Sequence, residues 1–216
     1  MNQYNLKFIK KNSYKIENYI ISESNKLAYN FLINNNQNNH QIFLYGPRKS
    51  GKTHLANIWA NINESVIINL EHFDINILNS INKNILIDNI FNNLPEEKLF
   101  HIINHSNNHN LKILLTSEIL PRNHNFKIND LSSRIKSFYL IEISQPDDYL
   151  ISNLIVKLFN HLQINIKNDD VITYLTTRIH RSFDNVFSIV NQIDEYSLSY
   201  KREITIPLIK EIIDIS

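Results

Sequence analysis

Gln41-Ile-Phe-Leu-Tyr-Gly-Pro-Arg-Lys-Ser-Gly-Lys-Thr53 decides the fold: an apolar run, a loop holding Gly46 and Gly51, and a Lys-Thr pair closing it. The loop Gly46, Pro47, Arg48, Lys49, Ser50, Gly51, Lys52 and Thr53 fits the phosphate-binding pattern G-x-x-x-x-G-K-[ST]. These are the only two glycines in 216 residues. Backbone N–H groups of such a loop wrap phosphate oxygens, which needs residues without a Cβ at tight turns and close approaches. Lys52 is expected on the β/γ-phosphates and the Thr53 hydroxyl on Mg²⁺. His54 then opens a helix to residue 62, with the positive end of its dipole facing the anion.

Working outward, apolar runs at 42–45, 66–70, 84–88, 111–116 and 138–143 alternate with helical patterns. That alternation predicts an α/β fold with a five-stranded, mostly parallel sheet covered on both faces. Ser24 is expected to cap a helix through Leu27, Ala28, Phe31 and Leu32. After Pro146 the strand signals stop, and four helical patterns cover 147–161, 169–180, 183–200 and 207–213. The expected organisation is a flexible tail over 1–13, a nucleotide-binding α/β core over 14–144 and a small helical lid over 145–216.

A phosphate loop needs an acid at the end of a neighbouring strand to hold Mg²⁺, and Ile85-Leu-Ile-Asp88 supplies Asp88. The next residue, where many ATPases of this architecture carry a second acid to activate water, is Asn89, whose amide takes no proton at neutral pH. Weak intrinsic hydrolysis is the expectation. A hydrophobic content of 43% suits a real core, and a net charge of +1 argues against a strongly basic nucleic-acid module. The chain has no cysteine, no run long enough to span a bilayer and no secretion signal, so a cytoplasmic protein without membrane contact is expected. His101, His105 and His109 share one helix face at i, i+4 and i+8. With no acid or cysteine to complete a ligand set, they read as a solvated helix end rather than a metal site.

Four separated segments resemble the DnaA/Hda branch of the AAA+ family. Ile16-Glu-Asn-Tyr-Ile-Ile-Ser-Glu-Ser-Asn25-Lys-Leu-Ala28 is similar to the segment that opens that branch's core, Gly51-Lys-Thr-His-Leu55 to its phosphate loop, Leu114-Leu-Thr-Ser117 to its sensor 1 strand end, and Leu131-Ser-Ser-Arg134-Ile135 to its arginine-finger segment. The resemblance implies bound ADP or ATP with Mg²⁺, an adenine pocket at Ile20 and Ile21, and sensor 1 at Thr116 or Ser117. It also implies that Arg134 acts in a neighbouring subunit's nucleotide site. Read from spacing alone, Arg134 is also a surface residue that could pair with Asp130 at i,i+4. Two departures stand out. Ser22 replaces a glycine common in the opening segment, and Asp184 stands where the family carries its sensor 2 arginine. Either Arg181, one turn earlier, takes that role, or the lid no longer contacts the γ-phosphate.

Within the branch, the resemblance is to the short regulators of the Hda group. With Ser216 following the lid pattern, no helix-turn-helix domain is expected, Asp88-Asn89 is similar to that group's pair, and Lys201-Arg-Glu-Ile-Thr-Ile-Pro207-Leu-Ile-Lys-Glu-Ile212 is similar to its closing helix. Gln3-Tyr-Asn-Leu6-Lys-Phe8 is similar to sliding-clamp-binding peptides, in which an apolar pair enters a preformed groove. The other reading is a tail whose apolar residues fold back on the core, and the nearby Lys7, Lys10 and Lys11 suit either DNA beside a clamp or a soluble tail. The implied partners are DnaA, the polymerase sliding clamp, DNA through the clamp, and further copies of the chain in a homo-oligomer. The implied role is replication regulation by promoting hydrolysis of DnaA-bound ATP, with an adaptor that recruits another replication factor as the alternative.

Overall fold

The computed structural model describes residues 14–34, 40–92, 94–164, 166, 170–200 and 203–215. Five strands, β1 (Gln41–Tyr45), β2 (Val66–Ile67), β3 (Ile85–Ile87), β4 (Ile113–Ser117) and β5 (Tyr139–Glu142), form one sheet in the order β2-β3-β4-β1-β5. All pairings are parallel, with Tyr45 level with Ser117 on one side and with Glu142 on the other. Every strand's carboxyl end therefore opens on the same edge, where ligands of α/β sheets bind.

Side-chain alternation divides the core into two layers. Phe43, Ile85, Ile87, Ile113 and Leu115 face α3 (Glu96–Asn108) and α4 (Asn129–Lys136) through Leu99, Ile102, Ile103, Leu131 and Ile135. Ile42, Leu44, Leu86, Leu114 and Ile141 face α2 (Lys52–Ile62), which contributes Leu55, Ala56, Trp59 and Ala60. β3 and β4 are wholly buried, which is why they read as unbroken apolar runs. β5 is an edge strand and leaves Tyr139 and Leu140 exposed.

A third apolar cluster draws on α5 (Asp148–Leu162), α6 (Asp170–Arg178), α7 (Phe183–Tyr200) and α8 (Ile206–Ile215), with Ile151, Phe159, Leu175, Val190, Ile193 and Leu208 at its centre. Asp147 joins this helical unit to the first described segment, residues 14–34. One carboxylate oxygen caps α5 by accepting from the Leu150 N–H at 2.7 Å, and the other accepts from the Ser24 N–H at 3.2 Å. No helix among the described residues is long and apolar enough to cross a membrane.

Three sequence expectations are corrected. Ser24 does not cap α1 (Lys26–Tyr29): the cap position is Asn25, whose side chain instead accepts from Ser22 N and donates to the Ile20 carbonyl, while the Ser24 hydroxyl meets Ser22 Oγ at 2.8 Å. The helix continues past Tyr29 only as a π-helical turn, Asn30–Asn34, a change of phase that buries Ala28 and Leu32 and leaves Leu27 81% exposed. β2 stops at Ile67 instead of residue 70. One more sheet bond, Ile68 N to Leu86 O, follows, and then the Asn69 side chain accepts from Glu71 N and turns the chain.

Candidate functional site

The loop leaving β1 passes the carboxyl ends of β4 and β5. Gly46 N donates to the Ser117 carbonyl at 3.3 Å, and a Cβ on Gly46 would lie 2.5 Å from the Ile143 carbonyl oxygen. This glycine is therefore required by the close approach of two backbones, a reason the motif alone does not supply. Gly51 has φ +90°, and Lys49 also adopts a left-handed φ of 61°. Such turns point successive N–H groups into one concavity. Replacing Gly46 with alanine is expected to cost about 1–3 kcal/mol through overpacking, read as a lowered urea midpoint. Exposed Arg48→Ala should stay within about 0.5 kcal/mol of the parent. Equal midpoints for both variants would mean that Ile143 yields freely.

α2 starts at Lys52, and its first intrahelical bond is Leu55 N to Gly51 O. The amides ahead of it have no acceptor within the helix, and with no side-chain cap at Gly51 they suit an anion. Lys52 is buried, and its ammonium folds onto its own loop, donating to the Gly46 carbonyl at 2.9 Å and the Pro47 carbonyl at 2.7 Å. Burial pushes its pKa down, opposed by the carboxylates of Glu118 and Asp88.

Asp88 gathers two hydroxyls. Thr53 Oγ1 donates to one of its oxygens at 2.7 Å, Thr116 Oγ1 donates to the other, and Asn89 N donates to Thr116 Oγ1 at 2.8 Å. Thr53 and Asp88 thus place a hydroxyl and a carboxylate side by side, two hard oxygen donors of the kind Mg²⁺ takes when phosphate and water complete its shell. No cluster of three His, Cys, Asp or Glu among the described residues could hold a metal unaided. Of the two sensor 1 candidates, Thr116 joins this hydrogen-bond chain, whereas Ser117 Oγ accepts from Ile119 N in its own turn. Glu118, which the sequence reading passed over, leaves β4 beside Gly46 and is exposed. Its signal was its place directly after the sensor 1 pair.

The opening segment packs under the loop. The Tyr19 ring lies 3.3 Å from where a Gly51 Cβ would be, stacks on Tyr29 and meets His54 edge-on at 5.4 Å between centroids. Burial raises the Tyr19 phenol's pKa, and its buried hydroxyl finds no hydrogen-bond partner among the described residues. Ile20 is half-buried and Ile21 is 40% exposed beside it. From the lid, Lys157 Nζ donates to the Asn18 carbonyl at 2.5 Å.

His54 Nε2 donates to the Lys15 carbonyl at 3.0 Å. Burial, and secondarily the Lys157 charge, hold the imidazole below its ordinary pKa, against the raising effect of the Lys15 bond. The unfolded chain then takes up this proton first as pH falls. The stabilisation is complete above about pH 6.5 and is lost as pH drops toward the folded-state value. Thermal unfolding between pH 7.5 and 5 should therefore show a steeper loss of midpoint for the parent than for His54→Gln. Parallel curves would remove His54 from the pH dependence.

Arg181 is held within the lid by a bidentate pair with Asp148, at 2.6 and 2.8 Å, which keeps that carboxyl below its ordinary pKa. Asp184 reaches the phosphate loop instead: its Oδ1 lies 3.1 Å from Lys49 Nζ, which also sits 5.1 Å above the Phe187 ring. Arg134 is half-buried on α4, with its guanidinium 5.5 Å from the Phe100 ring centroid and no ion pair to Asp130 or any other described carboxylate. α4 feeds the amino end of β5, level with Ile42, whereas the phosphate loop leaves the carboxyl end of β1.

The histidine row is not a solvated helix end throughout. His105 is 6% exposed and donates from Nε2 to the Ile81 carbonyl, and His109 Nδ1 donates to the His105 carbonyl. Gln3, Leu6 and Phe8, with Lys7, Lys10 and Lys11, lie outside the described residues.

Residues 161–213 match the family model described as "Hda, lid domain". The chain is 28% identical over 228 residues to the chromosomal replication initiator protein DnaA of Buchnera aphidicola subsp. Baizongia pistaciae, covering 90% of this chain and 49% of that one. It is 26% identical to the DnaA of Wolinella succinogenes, covering 93% and 52%. The chain thus spans about half the length of the curated relatives it matches. Among solved structures, domain III of Thermotoga maritima DnaA superposes with a TM-score of 0.73 at 17% identity, covering 93% of this chain and 95% of that one. AMPPCP-bound DnaA from Aquifex aeolicus superposes at 0.66 and 21% identity, covering 89% and 68%.

Proposed function

We propose, on the premise that this chain is related to DnaA and Hda within the AAA+ proteins, that it is a nucleotide-binding regulator of replication initiation which stimulates hydrolysis of ATP held by DnaA. The observation that carries this reading is the placement of Arg134. It lacks a carboxylate partner among the described residues and stacks only on the Phe100 ring, which supports a reading in which its charge serves another molecule's site. Guanidinium groups supplied in trans stabilise the charge that develops on a transferred phosphoryl group.

The chain's own ligand in this reading is ADP or ATP with Mg²⁺, in keeping with the AMPPCP described for the Aquifex aeolicus relative. Lys52 and the amides of the loop hold the phosphates, Thr53 and Asp88 hold the ion, and Ile20 and Ile21 flank the base. With Asn89 following Asp88, the ligand serves as a structural element more than a fuel. The tail carrying Gln3, Leu6 and Phe8 recruits the sliding clamp, so that the regulator acts where DNA has just been copied. Such a protein works in the cytoplasm.

The test is the hydrolysis rate of ATP preloaded on the cognate DnaA, with and without DNA-loaded clamp, on adding the chain. Acceleration that needs both the clamp and the chain supports the reading. Binding to DnaA or clamp without acceleration would replace it with an adaptor that recruits another replication factor.

A further inference from the structure

The carboxyl end of α3 holds two imidazoles whose tautomers are fixed by their neighbours. His105 Nε2 meets the Ile81 carbonyl at 2.7 Å, and His109 Nδ1 meets the His105 carbonyl at 2.9 Å. A carbonyl oxygen only accepts, so both of these ring nitrogens carry a proton. In each neutral imidazole the other nitrogen, Nδ1 of His105 and Nε2 of His109, then carries a lone pair. No hydrogen bond engages either of these nitrogens among the described residues. Histidines that bind metals share this arrangement: the N–H goes to a carbonyl, which sets the tautomer and raises the basicity of the ligating nitrogen.

From the two free nitrogens we infer a site for a divalent transition-metal ion of the Zn²⁺ or Ni²⁺ class, held by His105 and His109. The rings lie 4.2 Å apart between centroids with their planes at 32°. Such a separation suits two nitrogens each about 2.0–2.1 Å from one ion. Both residues line an open groove of about 330 Å³ between α3 and the 3-10 turn Ile75–Ser80. His101 and Asn104 line the same groove one turn earlier, and Asn104 Oδ1 is buried without a hydrogen-bond partner. An orphaned acceptor of this kind calls for a bound water or ion. No lysine or arginine lines the groove, and the carboxyl end of α3 carries the negative pole of its dipole, so the local field favours a cation. Spacing alone offered no acid or cysteine to complete a ligand set. No three of the described His, Cys, Asp or Glu side chains converge here, so water and the Asn104 amide complete the shell. Nitrogen ligands select against Mg²⁺, which takes oxygen, and this sets the groove apart from the Thr53–Asp88 pair. Through the Ile81 carbonyl the ion ties α3 to the residue that ends the 3-10 turn.

The experiment is calorimetric titration of the metal-stripped full chain with Zn²⁺ in excess Mg²⁺, followed by thermal unfolding of the same samples. The parent should bind saturably, and its midpoint should rise with Zn²⁺, since the folded chain alone presents the site. His105→Gln keeps an amide that can donate to the Ile81 carbonyl but offers no ring nitrogen. Its affinity for Zn²⁺ should fall by at least about tenfold, the low end of what loss of even a ligand's hydrogen-bonding partner costs. His109→Gln, at an exposed position, should fold normally and lose as much. His161→Gln, exposed on α5, should bind as the parent does. Unfolding midpoints without Zn²⁺ show which variants fold, and His109→Gln decides the matter where His105→Gln does not fold. No saturable binding by the parent overturns the inference, as does an affinity unmoved by His109→Gln. Equal weakening by His161→Gln and His109→Gln also overturns it, by showing diffuse binding to surface imidazoles.

Discussion

Arg134→Ala should abolish the acceleration of DnaA-bound ATP hydrolysis, a loss of about 10³-fold or more where the parent acts at the strength of trans-acting arginines. The effect is large because a planar guanidinium, always charged and able to donate two parallel bonds, meets the transferred group only as charge develops on it. Arg134→Lys keeps the charge and loses the fork, so most of the acceleration should go as well. The cost to the chain itself is small, since the contact with Phe100 is a half-buried cation–π pair worth about 1 kcal/mol. Unfolding midpoints and nucleotide affinity of Arg134→Ala should therefore match the parent. Single-turnover hydrolysis with saturating chain and clamp separates this outcome from weakened docking, which extra protein would rescue. Full acceleration by Arg134→Ala would require a different residue to enter the DnaA site.

Lys52→Ala should weaken nucleotide binding by about 100-fold or more, since charge-assisted hydrogen bonds contribute roughly 1.5–3 kcal/mol each and Lys52 is placed to make two. In the free chain the same substitution should have the opposite sign or none. There the ammonium is buried against the Gly46 and Pro47 carbonyls, and burial has already lowered its pKa, so removing it relieves a desolvated charge. Thermal unfolding with and without Mg²⁺-ADP distinguishes the two effects. The parent should gain stability with ligand, and Lys52→Ala should start level or higher and gain nothing. A variant that still binds within threefold of the parent would show that the loop amides alone hold the phosphates.

The parallel sheet was legible because β3 and β4 are buried on both faces and β1 runs straight into a loop with a sharp pattern. All four lid helices were legible because each buries one stripe in a common cluster. What stayed hidden were contacts between distant stretches. Nothing in the spacing of Lys49 and Asp184 announces an ion pair, and the resemblance marked Asp184 only as a missing arginine. Gly46 was assigned to phosphate contact, whereas its lack of a Cβ answers first to Ile143, nearly a hundred residues away. His105 looked polar among asparagines, yet it is buried because its ring reaches the Ile81 carbonyl, which lies outside its own helix. Local rules failed at Ser24 for a nearer reason: its hydroxyl meets Ser22 Oγ, and Asn25 stands at the cap position of α1 without a side-chain cap bond.

Asp147 spends its two oxygens on two elements that are 123 residues apart, the start of α5 and the segment that packs beneath the phosphate loop. One carboxylate thus works as a rivet through two plates. If α5 pivots about residue 146, either the rivet breaks or the opening segment travels with it, carrying the stacked Tyr19 and Tyr29 away from Gly51. Only while that rivet holds would the base side and the phosphate side of the cleft open together.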